Sequence, residues 1–177
     1  PLAEALISGA EDVDVVLQQQ MPAGRLRVGA TLTIGNYIAI PIIARFKRDF
    51  PEVSVRLHVA NTAHIAQQVL DFELDVGLIE GEYSHSDLQV QPWCRDELMI
   101  FCSPEHPYAT KKILTDEDLT KAQWILREHG SGTRQTFDRA MHGLINELDV
   151  HLEFEHTEAI KRAVEAGLGL GCLSVIP

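Results

Sequence analysis

Apolar residues recur along this chain with two alternating periods, and the alternation sketches its architecture. The segment 25–30, "RLRVGA", switches between polar and apolar as a half-buried strand does, and 34–50 then turns to a helical spacing with Pro41 inside it. Proline lacks a backbone donor and crowds the preceding turn, so this helix is expected to kink or restart near Pro41. "VSVRLHVA" (53–60) predicts a strand, Asn61 and Thr62 a cap, and 63–72 a helix with Ile65, Val69 and Leu70 inward. "LDVGLI" (74–79) is almost wholly apolar, as a strand covered on both faces should be. Strand, helix, strand, helix, strand implies a parallel sheet with right-handed crossovers.

A second set follows. "LQVQPWC" (88–94) and "ELMIFCSP" (97–104) read as strands, and Thr115 as the cap of a short helix in "TDEDLTKA". "QWILR" (123–127) is a strand, 132–148 a helix, "VHLEFEH" (150–156) a strand, Thr157 the cap of a helix through Glu165, and "GLGCLSVI" (169–176) a last strand. Ahead of all this, Leu2, Leu6, Val13, Val16 and Leu17 give residues 1–20 a helical stripe, stopped by "MPAG". The expected fold class is α/β, with two lobes whose boundary lies near Arg95.

One junction poses a chemical question. In "WILREHGSGTRQTF" (124–137), a strand hands over to a helix through two glycines and two hydroxyls. Such a loop is either a tight turn or a cradle for an anion, because helix N-termini present unpaired N–H groups and partial positive charge. Thr31 to Thr33, Asn61 to Thr62, Glu80 to Gly81, Ser131 to Thr133 and Thr157 to Glu158 all fall at strand ends, where open α/β sheets hold ligands. Ser, Thr and Asn are also good caps for purely structural reasons, so both readings stand at this level.

Composition narrows the classes. Among 177 residues there are 15 basic and 26 acidic side chains, a net charge of −11. A phosphate-gripping surface needs a basic stripe, so this segment is not expected to contact nucleic acid itself. No apolar run approaches the ~20 residues that span a bilayer, and the first residues do not read as a secretory signal. Cys94, Cys102 and Cys172 each sit in an apolar, strand-like run, which predicts buried, reduced thiols and favours the cytoplasm. Enzymatic motifs are missing: there is no metal spacing among the eight histidines, no GxSxG around Ser131 and no GK[ST] after the glycine loop. "GLGLG" (167–171) follows a helix and opens a strand, the reverse of a dinucleotide fingerprint. No catalytic residue, metal ligand or cofactor is expected.

The ordered series "GRLRVGATLTIGNYIAIPIIARFKRDFPEVSVRLHVANT", "LDFELDVGLIEG", "WILREHGSGTR" and "TEAIKRAVEAGLGLGCLSVIP" resembles the effector-binding domain of LysR-type transcriptional regulators. The resemblance implies two Rossmann-like subdomains around a cleft, in the type II periplasmic-binding-protein architecture. Residues 1–23 would be the end of a linker helix, 24–94 regulatory subdomain I and 95–177 regulatory subdomain II. In the family the chain returns to complete the first subdomain. Here it stops at Pro177, so those closing elements are missing or lie outside this sequence. DNA contact would come only from an N-terminal winged helix-turn-helix that this sequence lacks.

By position, the resemblance makes Thr31, Thr33, Ser131, Gly132, Thr133 and Thr157 effector contacts, while Glu80 stands where some relatives have a hydroxyl. "TIGNY", "IEG" and "REHGSGTR" most resemble regulators of sulfur metabolism, including one that responds to sulfite. The implied ligand is a small anionic or zwitterionic effector, a sulfur oxyanion among the options. Glu80 complicates an anion: it must be protonated, or accept a proton or ammonium from the ligand, or point to solvent, or pair with Arg127 or Arg134. The family pairs its regulatory domains antiparallel into a homodimer, with a tetramer for the full-length protein. A transporter's solute-binding protein shares the fold and is the rival reading.

Overall fold

The computed structural model describes residues 24–176, and the expected helix over 1–20 lies outside them. The chain divides into two compact units, Pro1–Asp96 and Glu97–Pro177. Each is an open α/β sheet with helices packed on it.

In the first unit, β1 (Arg25–Ala30), β2 (Ser54–Val59) and β3 (Val76–Leu78) form a sheet ordered β2-β1-β3. Both pairings are parallel, with Ala30 opposite Val59 on one side and Leu78 on the other. Leu26 and Val28 meet Phe46 on one face, together with Phe50, Val55, Leu57 and Val76. On the other face lies α2 (Thr62–Leu70), which buries Ile65 and Ala66 and leaves Val69 and Leu70 half-buried. Its approach depends on missing side chains: a Cβ on Gly29 would meet Leu74 Cδ1 at 2.5 Å, and one on Gly77 would meet Ile65 Cγ2 at 2.9 Å.

Pro41 acts much as its chemistry demands. The chain is helical from Leu32, widens into a π turn over Ile34–Ile38, and continues as α1 (Ala39–Asp49). The N–H of Ala39 donates to the carbonyl of Ile34, five residues back. A widened turn makes room for a proline ring without ending the helix.

The second unit is a mixed sheet ordered β4-β7-β5-β6, from β4 (Leu98–Phe101), β5 (Gln123–Arg127), β6 (Asp149–Phe154) and β7 (Leu170–Ser174). β4 runs antiparallel to β7, while β5 is parallel to both β6 and β7. Alternation along β5 divides the core. Trp124 and Leu126 join Phe137 of α4 (Gly132–Ala140) on one side, and Ile125 joins Ile160, Ala163 and Val164 of α5 (Thr157–Glu165) on the other. The Trp124 and Phe137 rings sit 4.9 Å apart, and Trp124 Nε1 donates to the Leu119 carbonyl at 2.9 Å. The short α3 (Asp116–Lys121) carries a full capping box between Thr115 and Asp118.

Four expectations need correction. Residues 88–94 form no strand: the segment is exposed apart from half-buried Leu88 and Trp93, and Pro92 removes one of the donors a ladder needs. The helix after Gly132 ends at Ala140, not Leu148, with Gly143 following and only a 3₁₀ turn at Ile145–Glu147. Thr157 is the first residue of α5 and not its cap; His156 holds the cap position without a side-chain bond. Cys94 is exposed and Cys102 half-buried, so only Cys172 is the buried thiol expected of all three. Burial pushes the Cys172 thiol up to about 12, and partial desolvation by neighbouring atoms, then the charge of Asp96, also raises that of exposed Cys94, which keeps both protonated.

The "GLGLG" run is explained by packing. Gly167 has φ +79 just past α5, and Gly169, at φ +152, lies so close to the backbone carbonyl of Gln123 that a Cβ would collide with it. Gly171 faces the Phe101 ring, where a Cβ would come within 2.6 Å of Cζ. Since a carbonyl fixed in β5 cannot move aside, Gly169→Ala is expected to cost more than about 2 kcal/mol. Urea unfolding that shifts by less than about 0.5 kcal/mol would contradict this packing account.

β1 is also tied to the start of β3 by charge. Asp75 accepts from the Arg27 backbone N–H at 2.7 Å and from its guanidinium at 2.6 Å. That guanidinium holds the Asp75 carboxyl below its ordinary value. Depression of a carboxylate adds stability that is complete above the unfolded value near pH 4 and disappears as pH falls through the folded one. With the two side chains 35% and 36% exposed, screening limits the pair to about 0.5–1 kcal/mol. Asp75→Asn should remove that much at neutral pH and flatten the acid limb of a urea-midpoint titration; an unchanged acid limb would count against it.

Candidate functional site

Parallel pairing delivers the ends of β1, β2 and β3 to one edge of the first sheet. Thr31 follows β1 directly, and its N–H donates to the Leu78 carbonyl at 3.0 Å while its own carbonyl accepts from Gly35 N–H at 2.6 Å. Thr31 and Thr33 are 3% and 4% exposed. At the next strand end Asn61 caps α2 by accepting from His64 N–H at 3.0 Å. Buried Thr62 donates its hydroxyl to the Glu80 carbonyl at 2.9 Å, pinning the chain just past β3.

Two side-chain atoms on this edge have no hydrogen-bond partner although both are buried: Thr31 Oγ1 and Glu80 Oε1. Folded proteins rarely leave such groups unsatisfied, and where they do, an unplaced ligand or water is a common reason. Thr31 and Glu80 therefore stand together at neighbouring strand ends with unspent hydrogen-bonding capacity. Thr62 was not among the sequence-derived contacts, because a residue beside a strong asparagine cap looks redundant. Its role depends on the β3 end, 18 positions away.

The second unit repeats the arrangement. After β5 the chain turns through Gly130 at φ +93, and Ser131 N–H donates to the Glu128 carbonyl at 3.2 Å. Ser131 then caps α4, but its hydroxyl accepts from Arg134 N–H at only 3.5 Å, near the limit for a useful bond. Ser131, Gly132 and Thr133 are all buried. Thr157, 8% exposed, begins α5 at the end of the neighbouring strand β6. The structure thus groups Thr31, Thr33 and Glu80 on one sheet edge, and Ser131, Gly132, Thr133 and Thr157 on the other unit's equivalent edge.

The loop is braced by two buried arginines that the sequence did not mark as structural. Arg127 pairs with Glu128 at 2.8 Å. Arg134 meets Asp138 at 2.8 Å, Glu153 at 2.9 Å and the Arg127 carbonyl at 3.0 Å. Their guanidiniums pair inside the second unit, so of the alternatives open for Glu80 a pairing with Arg127 or Arg134 is not the one formed. The hint was present in the spacing: an arginine closing an apolar strand and another one turn into the following helix.

Among the described residues there is no cluster of three or more His, Cys, Asp or Glu able to hold a metal ion, and no helix long and apolar enough to cross a membrane. A shallow depression of about 200 Å³ lies between Ser103 to Glu105 and Glu165 to Gly167. It sits at the opposite edge of the second sheet, by the start of β7, and includes none of the hydroxyl-bearing helix starts.

This architecture is that of the LysR regulatory domains, the type II periplasmic-binding-protein-like fold, and the chain belongs to the LysR substrate-binding-domain family, whose pattern matches residues 19–176. It is 40% identical over 174 residues to YeiE, an HTH-type transcriptional regulator of Escherichia coli strain K12, covering 98% of this chain and 58% of that protein. It is 32% identical over 151 residues to the HTH-type regulator CysL of Bacillus subtilis strain 168, covering 85% and 50%. The chain thus spans between half and three-fifths of the length of these curated relatives. Among solved structures, the CcmR regulatory domain of Synechocystis PCC6803 in complex with 2-PG has a TM-score of 0.77 at 30% identity, covering 86% of this chain and 73% of that one. The effector-binding domain of QuiR in complex with shikimate, at TM-score 0.79 and 16% identity over 88% and 75%, shares the fold.

The weak cap geometry at Ser131 separates stability from binding. Ser131→Ala should lower stability by no more than about 0.5 kcal/mol, at the bottom of the range for lost caps, whereas Asn61→Ala should cost about 1 kcal/mol. Equal losses of about 1 kcal/mol or more in urea titrations would show that the Ser131 hydroxyl is spent on the fold.

Proposed function

We propose that this chain is the effector-sensing part of a LysR-type transcriptional regulator and takes a small anionic or zwitterionic metabolite at the strand-end edges of its sheets. Residues 24–94 and 95–177 would be its regulatory subdomains I and II. The observation that carries the reading is the pair of unsatisfied, buried atoms, Thr31 Oγ1 and Glu80 Oε1, beside buried helix starts. Thr31, Thr33 and Glu80 would be the effector contacts of the first unit, and Ser131, Gly132, Thr133 and Thr157 those of the second.

The energetics suit a metabolite sensor. A helix N-terminus adds about 0.3–1 kcal/mol toward an anion, up to ~2 when partly buried, and each hydrogen bond to a charged group roughly 1.5–3 kcal/mol. After association entropy is subtracted, about 4–8 kcal/mol remains, a millimolar to micromolar affinity. Sulfur oxyanions head the candidates, and 2-PG, bound by the CcmR domain, extends them to small carboxylates. Relatives that are HTH-type regulators favour this reading over a transport protein, and a cytoplasmic setting would follow from it.

A homodimer fits the lateral surfaces. β2 and β6 are edge strands, and Tyr37, Ile40, Val59 and Val150, on or beside them, are apolar yet exposed. An antiparallel pairing would set the 36–49 helical segment and β2 of one subunit against α4 and β6 of the other, with a tetramer in the longer protein. DNA would be held by a winged helix-turn-helix outside this sequence.

A thermal-shift screen of sulfur oxyanions, small carboxylates including 2-PG, and amino acids tests the reading. At least one class should raise Tm by several degrees at millimolar concentration, since a ligand at 100 times its Kd adds about 2.7 kcal/mol. The shift should vanish in Thr31→Val and in Ser131→Ala. A shift that survives both substitutions would move the site elsewhere.

A further inference from the structure

Resting on that reading of the site, we infer that Glu80 selects the ligand by its protonation. The first unit's wall takes an anion that carries its own hydrogen-bond donor and rejects fully deprotonated oxyanions of the same shape.

The argument starts from a contrast between two threonines. Thr31 and Thr62 lie on one sheet edge and are nearly equally buried, at 3% and 5% exposed. Thr62 spends its hydroxyl on the Glu80 carbonyl, while the Thr31 hydroxyl meets nothing. The backbone groups of Thr31 are already committed to Leu78 and Gly35, so its side chain is the group left to serve a guest. A hydroxyl both donates and accepts, and so can face any anion.

Glu80 differs because an ionised carboxylate oxygen only accepts. Its Oε1 is buried at the neighbouring strand end without a donor, and Thr62 holds the Glu80 backbone in place. A ligand that presents only lone pairs would set acceptor against acceptor. At ~4 Å and an effective dielectric of about 20, the repulsion of two unit charges is on the order of a 1,000-fold loss in affinity. A guest with an N–H or O–H at that point turns the same atom into a charge-assisted hydrogen bond. Sites built around one hydrogen bond discriminate strongly against ligands that lack its partner. Hydrogen sulfite, hydrogen phosphate, hydroxy acids and amino acids all meet the requirement; sulfate does not.

Calorimetric titration of this chain, its E80Q variant and its Thr31→Val variant in mildly acidic buffer tests the inference. The probes are sulfate, sulfite, phosphate, glycolate and glycine. The natural chain should prefer at least one donor-bearing probe over sulfate by roughly 100-fold. In E80Q, whose amide can donate, sulfate should gain at least tenfold and the preference should shrink or reverse. Thr31→Val should weaken every probe that binds without altering their order. If Thr31→Val weakens binding but E80Q leaves the sulfate ratio unchanged, the sensing site stands and the protonation filter is wrong. If neither substitution changes the affinity of any probe, or no probe binds, both fail together. The urea midpoint of E80Q should stay at the parent's, since Oε1 has no partner for the substitution to orphan.

Discussion

Parallel pairing is the constraint on which the rest of this molecule depends. When β1 is hydrogen-bonded to both β2 and β3 in the same direction, every handover from strand to helix is forced onto one edge of the sheet. Helix starts carry N–H groups that the helix cannot satisfy, so that edge gathers donors and partial positive charge whatever residues stand there. The second unit obeys the same rule through β5 and β6, and its antiparallel β4 contributes no helix start to the edge. Asn61 and Ser131 are amide and hydroxyl residues because these are positions where the backbone asks for acceptors. A sheet of antiparallel hairpins would have scattered them over two edges.

What distinguishes a binding wall from a well-capped edge is which of these side chains remain uncommitted. Asn61 and Thr115 are spent on their own helices, and Thr62 on the Glu80 carbonyl. Thr31 Oγ1 and Glu80 Oε1 are not. Leaving a buried donor or acceptor unpaired costs about 1–3 kcal/mol each, a sizeable share of a domain's net stability. Ion pairs elsewhere, such as Arg134 with Glu153 and Asp138, fix the loop whose strand and helix they bridge. Each unit thus keeps its own edge in order: ion pairs hold the loop of the second, and the first carries hydrogen-bonding capacity that its own fold does not use.

Period and punctuation made most of the fold legible. All seven described strands and all five α-helices were legible from apolar spacing and caps, because most elements have one face against a core and Trp124, Ile125 and Leu126 alternate between two of them. The misreadings share a cause. Residues 88–94 alternate like a strand but have no ladder partner among the described residues, and periodicity cannot report a missing neighbour. The helix after Gly132 stops where Gly143 weakens local propensity, which apolar residues further on had masked. For the site, the hydroxyl positions could be read from the junctions, whereas the commitments of Thr62, Arg127 and Arg134 depend on partners up to 19 residues away. Local sequence locates the helix starts; only the packed sheet shows which of their side chains have been used.

That distinction bears on how such a domain could signal. A ligand shifts an equilibrium between arrangements only by its differential affinity for them. Thr31 Oγ1 and Glu80 Oε1 have no partner within the first unit, so a ligand that bonds them in one arrangement of the chain and not in another would supply such a difference. A fully capped version of the same fold, with Thr31 and Glu80 satisfied internally, would be more stable and would have less free energy to convert into a change of shape.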